Sequence, residues 1–309
     1  MLSISTYLKN PELLASSVLM HHGKWIPDNV YLKWLFRLKM GYKLDLNNPT
    51  TYSEKLQWLK LYNKKPEYCQ MVDKLAVKDY VASVLGPQYV IPILGVWEKP
   101  EDIEWDKLPN QFVLKTTHGG GSEGVIICKE KKTFDKEKAV LKLNSSMKQD
   151  IYYNFREWPY KNVHKRIIAE TLLNDDSEYN KNGLTDYKFT CFNGVADNVM
   201  VCVDRSLGET KFYFYDKDWN LMPLNVRGKN TSPDFKLPKP SCMDEMFAIA
   251  GELSKGIPFL RVDLYCINEK PYFGEMTFYP ASGFDKNLLP ETEKSFGEKI
   301  ILPTIINEK

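Results

Sequence analysis

Residues 259–283 read FLRVDLYCINEKPYFGEMTFYPASG. Two apolar runs in this stretch, Phe259–Ile267 and Pro271–Phe278, are rich in β-branched and aromatic residues, and the polar segment 268–270 separates them. This pattern is typical of two antiparallel strands joined by a short turn. We therefore expect a β-hairpin in which side chains alternate between the two faces of each strand.

The polar residues of this hairpin are expected on one face. Alternation places Arg261 with Asp263 on the first strand and Glu275 with Thr277 on the second. Asp263 and Glu275 then face each other at roughly 5 Å, where two carboxylates repel unless a cation lies between them. Magnesium prefers such oxygen ligands, and Arg261 can steady a phosphate or a developing oxyanion. A surface hairpin with scattered charges is the alternative interpretation.

A second motif joins a strand to a glycine-rich loop. Gln111–Lys115 is predicted to be a strand, the loop 116–124 reads TTHGGGSEG, and Val125–Cys128 resumes as a strand. Glycines let backbone amides approach phosphate oxygens, and a lysine at the end of the entering strand is well placed for the same phosphates. The pattern is neither a Walker A loop nor a Rossmann fingerprint, since a strand follows it. A plain glycine-rich hairpin turn is the alternative.

Composition describes an ordinary globular protein. The chain has 309 residues, 43% of them apolar and 27% charged, which is enough for a sizeable core and two or three subdomains. A net charge of +2 gives no reason to expect nucleic acid as a partner. The six cysteines lack metal-ligand spacing, and no signal peptide or membrane span is recognisable. We therefore expect a cytoplasmic protein.

Residues 1–70 are expected to be helical. Val30–Met40 has an apolar stripe, and Thr51–Glu54 fits a capping box that opens a helix over Lys55–Tyr62. This region holds ten Lys and Arg against five Asp and Glu. Such a basic, aromatic-rich segment can contact an anionic membrane surface or an acidic polymer, although a solvated helical surface has the same composition.

These motifs, taken in order, resemble the ATP-grasp superfamily. The elements are Asp-Lys at 73–74, Phe-Val-Leu-Lys at 112–115 with its glycine loop, Glu-x-x-Leu at 170–173, Arg-x-Asp at 261–263 and Glu-x-Thr at 275–277. Together with Asp-Tyr-Lys-Phe at 186–189 and the Trp/Tyr/Lys-rich N-terminal segment, the pattern is most similar to the TupA-like branch found in surface polysaccharide and teichuronopeptide biosynthesis. The resemblance spans roughly residues 30–300.

The resemblance implies an α+β ATP-grasp fold, in which two α+β subdomains grip ATP, with an N-terminal helical segment. The expected parts are an N-terminal helical region (1–70), a first ATP-grasp-associated subdomain (71–110), a glycine-loop lid (111–175) and a C-terminal metal and substrate subdomain (176–309). The strand within 166–173 is expected at a sheet edge, where its free backbone groups would meet adenine.

The resemblance also implies roles for individual residues. Those expected to bind ATP are Lys74, Lys115, Gly119, Gly120, Gly121, Ser122, Glu170 and Leu173. Those expected to hold Mg²⁺ are Asp263, Glu275 and Thr277. The expected catalytic residues are Arg261, which stabilises an oxyanion, and Lys188, which contacts phosphate, while Ser282 and Gly283 are expected to contact the carboxylate substrate. Thr277 stands where the family usually has Asn, and a Rossmann-like domain before the grasp is not recognisable.

The implied activity is ATP-dependent ligation of a carboxylate to an amine through an acylphosphate. The implied partners are a small-molecule or sugar-linked carboxylate, such as a hexuronic acid or a glutamyl group of a cell-surface polymer precursor, and an amine. One alternative is an ATP-grasp kinase or a glycosyl-transfer protein of the same pathway. Another is a non-catalytic nucleotide-binding scaffold of a membrane-associated assembly. Peripheral contact with the cytoplasmic membrane remains an expectation.

Overall fold

The computed structural model describes residues 10–121, 124–175, 177–232 and 234–304. Two antiparallel sheets and the helices packed on them make up this part of the chain. The helices are α1 (Pro11–His22), α2 (Asp28–Met40), α3 (Tyr52–Tyr62), α4 (Glu67–Val72), α5 (Ala76–Leu85), α6 (Lys136–Met147), α7 (Ile151–Phe155), α8 (Val226–Lys229), α9 (Met243–Leu253) and α10 (Pro290–Lys299). The strands are β1 (Ile93–Trp97), β2 (Phe112–Thr116), β3 (Val125–Cys128), β4 (Ile167–Thr171), β5 (Asp186–Phe192), β6 (Val195–Val203), β7 (Lys211–Tyr215), β8 (Leu221–Met222), β9 (Phe259–Ile267) and β10 (Lys270–Thr277).

The larger sheet has six strands in the order β10-β9-β5-β6-β7-β8. Its hairpins follow local turn chemistry: Asn193 and Gly194 between β5 and β6 both take positive φ, as a tight two-residue turn requires. Helix α9 packs its apolar side on this sheet, with Phe247 edge-on to Phe189 at a ring separation of 4.9 Å. The expected β9–β10 hairpin is confirmed. The opposite face of β5, β9 and β10 is polar.

The smaller sheet has the order β1-β4-β2-β3 and a separate apolar core. Phe112 and Leu114 of β2 and Ala169 of β4 point into that core, against helix α6. Strand β4 pairs with β1 on one side and with β2 on the other, so the expectation of an edge strand is wrong. Pairing on both sides satisfies the backbone N–H and C=O groups that an edge strand would leave free.

The N-terminal helices share one apolar core with the larger sheet. The ring of Tyr52 in α3 lies 5.2 Å from Phe259 of β9 and 5.6 Å from Phe296 of α10. The expected capping box is present, since Thr51 and Glu54 bond to each other's backbone N–H. No strand occurs between residues 10 and 92, all of which are described, and this confirms the helical N-terminal segment. No helix in the described residues has the length and apolar character to cross a membrane.

The division of the chain at residues 70, 110 and 175 stays a prediction. Strand β1, from the expected first subdomain, lies in the same sheet as three strands of the expected lid. The helices before residue 70 belong to the core of the C-terminal sheet. Packing therefore groups the described residues around two cores, one for each sheet.

Close packing of α10 on α3 supplies a test of this shared core. A methyl group on Gly297 would overlap the Thr50 carbonyl oxygen and lie 2.8 Å from the Thr51 carbonyl carbon. We expect Gly297→Ala to lower the free energy of unfolding by about 1–3 kcal/mol, because the helices would have to separate. Urea unfolding followed by circular dichroism measures this change.

The matched control is Gly251→Ala in helix α9, where the nearest atom to an added methyl is 3.8 Å away. That variant is expected to be neutral or stabilised by up to about 1 kcal/mol, since alanine favours helix more than glycine does. Equal stability of the two variants would contradict the close contact between α3 and α10.

Candidate active site

The candidate site begins with two rows of side chains across the polar face of the larger sheet. Strand register aligns β5, β9 and β10, so that cross-strand neighbours share this face. The first row is Lys188, Asp263 and Glu275, and the second is Thr190, Arg261 and Thr277. The predicted facing of Asp263 and Glu275 is thus confirmed.

A β-bulge at Gly274 produces this register. Phe273 pairs with Leu264, and the next pair is Glu275 with Asp263, so Gly274 is the extra residue. In a regular ladder Gly274 would pair with Asp263, and Glu275 would lie opposite Val262 and point into the core. A Cβ on Gly274 would approach the Asp263 carbonyl oxygen at 2.9 Å, which explains why glycine occupies this position.

Arg261 joins the three residues predicted to hold metal. Its Nε donates to Asp263 Oδ1 at 2.6 Å, and its Nη2 donates to Asp263 Oδ2 at 2.8 Å. The same Nη2 donates to Glu275 Oε1 at 3.1 Å and to Thr277 Oγ1 at 3.0 Å. Asp263 is buried, whereas 34% of the Glu275 side chain is exposed. The cluster is therefore open to solvent on the Glu275 side.

Positive charges keep the carboxylate of Glu275 ionised. Burial alone would raise the pKa of Glu275, but the charges of Lys74, Lys188 and Arg261 lower it to about 2. Lys188 forms ion pairs with Asp263 and, at 3.6 Å, with Asp186. The Glu275 carboxylate is therefore ready to accept a cation at neutral pH without first losing a proton.

Lys74 lies where the two sheets meet. Burial lowers the pKa of its ammonium group; Glu275 on the larger sheet and Glu170 on the smaller sheet act in the opposite direction. Its backbone N–H donates to the Thr117 carbonyl at 3.0 Å, and its Nζ donates to the Gly119 carbonyl. The predicted nucleotide lysine is thus joined directly to the glycine-rich loop.

The loop itself has no room for side chains at its base. A Cβ on Gly119 would lie 2.7 Å from Thr116 Oγ1, and one on Gly124 would lie 2.7 Å from Ser146 Oγ. Gly121 takes a positive φ of 65°, which other residues adopt with strain. Gly120 lies beside the end of the Ile151 side chain. Ser122, the remaining predicted loop residue, lies outside the described residues.

The polar face of the smaller sheet brings together Lys115 of β2 and Glu170 of β4. Lys115 Nζ lies 2.5 Å from Glu170 Oε2, and Lys78 Nζ of helix α5 lies 2.7 Å from Oε1. Burial raises the pKa of Glu170, yet the two lysines lower it below its usual range. Leu173 follows the end of β4, beyond the paired residues. Sequence reasoning missed Lys78, although it stands one helical turn after Lys74.

Ser282 and Gly283 lie in a tight turn after β10, under helix α3. Gln57 Nε2 donates to both of their carbonyl oxygens, at 3.2 and 3.0 Å, and Lys60 Nζ donates to the Ser282 carbonyl at 2.8 Å. The Ser282 hydroxyl donates to Glu157 Oε1 at 2.6 Å. Sequence reasoning missed Gln57, Lys60 and Glu157. The available signal was two polar residues, three apart, on the buried stripe of α3.

The donor set fits the cofactors that the motifs imply. Asp263, Glu275 and Thr277 offer two ionised carboxylates and a hydroxyl, which are the hard oxygen ligands that Mg²⁺ prefers. Lys74, Lys115 and the glycine loop supply ammonium and backbone groups for phosphates. In this structure the chain's own cations and anions neutralise one another at these positions.

Several solved structures share a distant likeness with the chain, and no curated protein matches it. D-alanine–D-alanine ligase from Helicobacter pylori has 12% identity, with 82% of this chain and 70% of that chain covered and a TM-score of 0.44. The same ligase from Bacillus anthracis, complexed with ATP, has 14% identity, with 92% and 79% covered and a TM-score of 0.41. At this level of likeness neither structure indicates what the present chain acts on.

The family comparison is more informative. The family model described as TupA-like ATPgrasp matches residues 54–301, which is most of the chain and includes every predicted site residue. The matched segment starts in helix α3 and ends just after α10. The chain therefore belongs to the TupA-like branch of the ATP-grasp ligases.

Proposed function

We propose that this protein is an ATP-dependent carboxylate–amine ligase that forms an amide through an acylphosphate. The observation that carries the proposal is the convergence at Lys74 of two charged faces. One is the Asp263–Glu275 pair on the larger sheet, and the other is the Lys115–Glu170 pair on the smaller sheet. Two charged pairs that both act on Lys74 match a molecule that carries a triphosphate and a metal ion between two sheets.

The proposed division of roles follows from position. Lys74, Lys115 and Lys188 neutralise phosphate oxygens and hold the γ-phosphoryl group in line with the substrate carboxylate. The glycine loop over Gly119–Gly121 closes on the phosphates and excludes water, which would hydrolyse an acylphosphate. Arg261 stabilises the oxyanion that forms when an amine attacks the acyl carbon. Glu170 and Leu173 mark the strand end nearest the expected adenine position.

Asp263, Glu275 and Thr277 are the residues that would hold Mg²⁺, which neutralises charge on the transferred phosphoryl group when bound. Arg261 and Lys188 occupy these carboxylates in the present structure. We propose that the two cations turn toward substrate oxygens when the carboxylates take the metal. Ser282 and Gly283 then border the position of the substrate carboxylate.

The proposed substrates come from the family resemblance. The carboxylate is a hexuronic acid or a glutamyl group of a cell-surface polymer precursor, and the nucleophile is an amino acid or a small amine. The pathway is then capsular or related polysaccharide biosynthesis, with ATP and the precursors in the cytoplasm. Free, mostly buried thiols are compatible with that compartment.

We further propose that the N-terminal helices contact the cytoplasmic face of the membrane. Trp25 is 82% exposed and Trp34 54% exposed, beside the exposed Lys24 and Lys33 in a region with a surplus of basic residues. Exposed tryptophans and lysines together suit an anionic lipid surface.

Ligase activity is tested by trapping the intermediate. With ATP, Mg²⁺ and a panel of uronic and glutamyl acids, hydroxylamine should yield a hydroxamate together with ADP. We expect Glu275→Gln to lower this yield by about 100-fold or more, because it removes a charged ligand from the site of phosphoryl transfer. Colorimetric hydroxamate detection and coupled ADP release give the two readouts.

The matched control for Glu275→Gln is Asp197→Asn, which removes an acid from β6 that is paired with Lys299 instead. Its hydroxamate yield should equal that of the wild type, and both variants should melt within a few degrees of it. ADP formation that is indifferent to hydroxylamine and leaves a stable phosphorylated product would identify a kinase and contradict the ligase.

The phosphate-binding role of Lys115 is tested by nucleotide affinity. Lys115→Ala is expected to raise the dissociation constant of MgATP by about 10-fold or more, since a charge-assisted hydrogen bond contributes about 1.5–3 kcal/mol. Isothermal titration calorimetry measures the affinity. Lys138→Ala, on the exposed side of helix α6, is the control and should bind as the wild type does. Unchanged affinity in Lys115→Ala would remove the smaller sheet from the nucleotide site.

Membrane contact is tested by co-sedimentation with vesicles. The wild-type chain should sediment with vesicles that contain anionic phosphatidylglycerol and not with neutral phosphatidylcholine vesicles. Replacing Trp25 and Trp34 together with serine should reduce this binding by roughly 10-fold, because two interfacial anchors are lost. The control replaces Leu207 with serine, since this residue is also exposed but lies far along the sequence from the N-terminal helices. Equal binding by both variants would contradict the proposed membrane face.

A further inference from the structure

A buried acid and a buried lysine contact the turn at Ser282, and both lie outside the metal cluster and the set of phosphate lysines. Glu157 is 6% exposed and Lys60 is 1% exposed. They come from distant parts of the chain, the turn after α7 and the helix α3, and both contact the turn that carries Ser282. Burying two ionisable groups is costly unless each has partners.

Lys60 has all three of its donors occupied. Its Nζ donates to Gln57 Oε1 at 2.9 Å, to the Phe155 carbonyl at 3.0 Å and to the Ser282 carbonyl at 2.8 Å. A lysine ammonium group has three N–H bonds, so none is left for Glu157. In the described residues, no cation lies within ion-pair distance of Glu157.

The contact between Lys60 and Ser282 holds a strained turn in place. Ala281 and Ser282 take positive φ values of 47° and 54°, which cost free energy in residues other than glycine. Two donors from α3, Gln57 and Lys60, hold the carbonyl oxygen of Ser282. The turn is thereby fixed with the Ser282 hydroxyl directed at Glu157.

Glu157 therefore has one oxygen engaged and one available. Its Oε1 accepts the Ser282 hydroxyl at 2.6 Å. In the described residues Oε2 accepts no hydrogen bond, and this oxygen is not fully sealed from solvent. One oxygen of this carboxylate is oriented by a hydroxyl and the other has no hydrogen-bond partner in the described residues, so it can accept a cationic donor in addition to the nearby charge of Lys60.

This carboxylate contacts the turn that follows β10, the strand of Glu275 and Thr277. Burial raises the pKa of Glu157, whereas the charge of Lys60, the hydrogen bond from Ser282 and, least of these, the charge of Arg261 act in the opposite direction. Burial raises the pKa of Tyr160, and the charges of Glu157 and Glu275 both add to this effect. Ser282 lies five residues after Thr277, at the end of the strand that carries the metal cluster. A cation on Glu157 would thus lie beside Ser282, the residue expected to contact the carboxylate substrate.

We infer that Glu157 is the receptor for the ammonium group of the amine substrate and accepts its proton before the bond forms. The inference rests on the proposed ligase function and assigns the second substrate to a primary amine that arrives protonated. Ser282 is the residue that orients Glu157, and Lys60 with Gln57 fixes Ser282.

The amine nitrogen loses two protons on the way from ammonium to amide. The ammonium group gives one proton to Glu157, and the free nitrogen lone pair attacks the acyl carbon of the acylphosphate. The carbon–oxygen bond to phosphate breaks, and phosphate leaves with the electron pair. The second proton lost from nitrogen goes to the departing phosphate, which yields an amide and hydrogen phosphate. Burial favours the protonated acid, which suits Glu157 to accept the first proton.

Direct binding of ammonium probes tests the receptor without any knowledge of the acid. Saturation-transfer NMR on the full chain, with and without MgADP, compares ethanolamine and glycinamide with the uncharged ethylene glycol and acetamide. We expect the ammonium probes to bind the wild type and to bind Glu157→Gln at least about 5-fold more weakly, since glutamine lacks the charge. The uncharged probes should not distinguish the two proteins.

The matched control is Glu293→Gln. Glu293 also accepts a serine hydroxyl, that of Ser53 at 2.8 Å, but it does so between α10 and α3. This variant should bind the ammonium probes as the wild type does. If Glu157→Gln fails to fold, Ser282→Ala replaces it, and a roughly 3-fold loss of ammonium binding is expected from the disoriented carboxylate.

Turnover provides the second readout. Hydroxylamine is largely uncharged at neutral pH, whereas alkylamines with pKa values of about 10 are protonated. Glu157→Gln should therefore form hydroxamate at close to the wild-type rate, while amide formation from a primary amine falls by about 100-fold and recovers as pH rises toward the pKa of the amine.

The outcomes separate the two proposals. Ammonium probes that ignore the wild type, or bind Glu157→Gln equally well, overturn the amine receptor. An equal loss of hydroxamate and amide in Glu157→Gln also overturns it, because the acid would then act in an earlier step. Absence of hydroxamate from wild type contradicts the ligase instead, and leaves the ammonium binding result to stand by itself.

Discussion

Two carboxylates held side by side on a sheet require positive charge between them, and this requirement shapes the centre of the molecule. Asp263 is buried and Glu275 is half-exposed, and Arg261 bonds to both. Lys188 approaches from the neighbouring strand. A metal ion could replace Arg261 and Lys188 beside the carboxylates, and a phosphate could replace the carboxylates beside these two side chains. Each group would then exchange one charged partner for another. Preorganised charge of this kind costs little to rearrange at the moment of reaction.

The rest of the structure places groups around that cluster. The six-stranded sheet sets the register, and the Gly274 bulge turns Glu275 to the polar side. The four-stranded sheet brings Lys115 and Glu170 from the other side, with helix α5 contributing Lys78. Helix α3, whose role the sequence left open, holds the turn of Ser282 from below. The N-terminal helices thus form part of the site's support as well as part of the core.

Local patterns were readable from the sequence, and contacts between distant segments were not. The hairpin of residues 259–278, the Asn193-Gly194 turn and the Thr51–Glu54 capping box follow from short-range chemistry, and all are present. The motifs also identified the family correctly. The interior position of β4 depends on which strands pair with it, and apolar composition alone does not distinguish an edge from a centre.

The dependence on distant contacts also explains the features that sequence reasoning missed. The Gly274 bulge shifts the pairing of Glu275 with β9 by one residue, and a single glycine in a strand indicates a bulge without fixing the register. Lys78 pairs with Glu170, and Lys60 reaches the turn at Ser282, across long stretches of chain that no spacing rule connects. Polar residues on the buried stripe of an amphipathic helix were the one visible sign of such a contact.

The most direct measurement is a crystal structure of the full chain with a non-hydrolysable ATP analogue and Mn²⁺ in place of Mg²⁺. We predict an anomalous peak ligated by Asp263 and Glu275, phosphates on Lys74 and Lys115, and Arg261 turned away from at least one carboxylate. A triphosphate bound elsewhere, or manganese absent from these carboxylates while Arg261 still bonds to both, would contradict the proposed site.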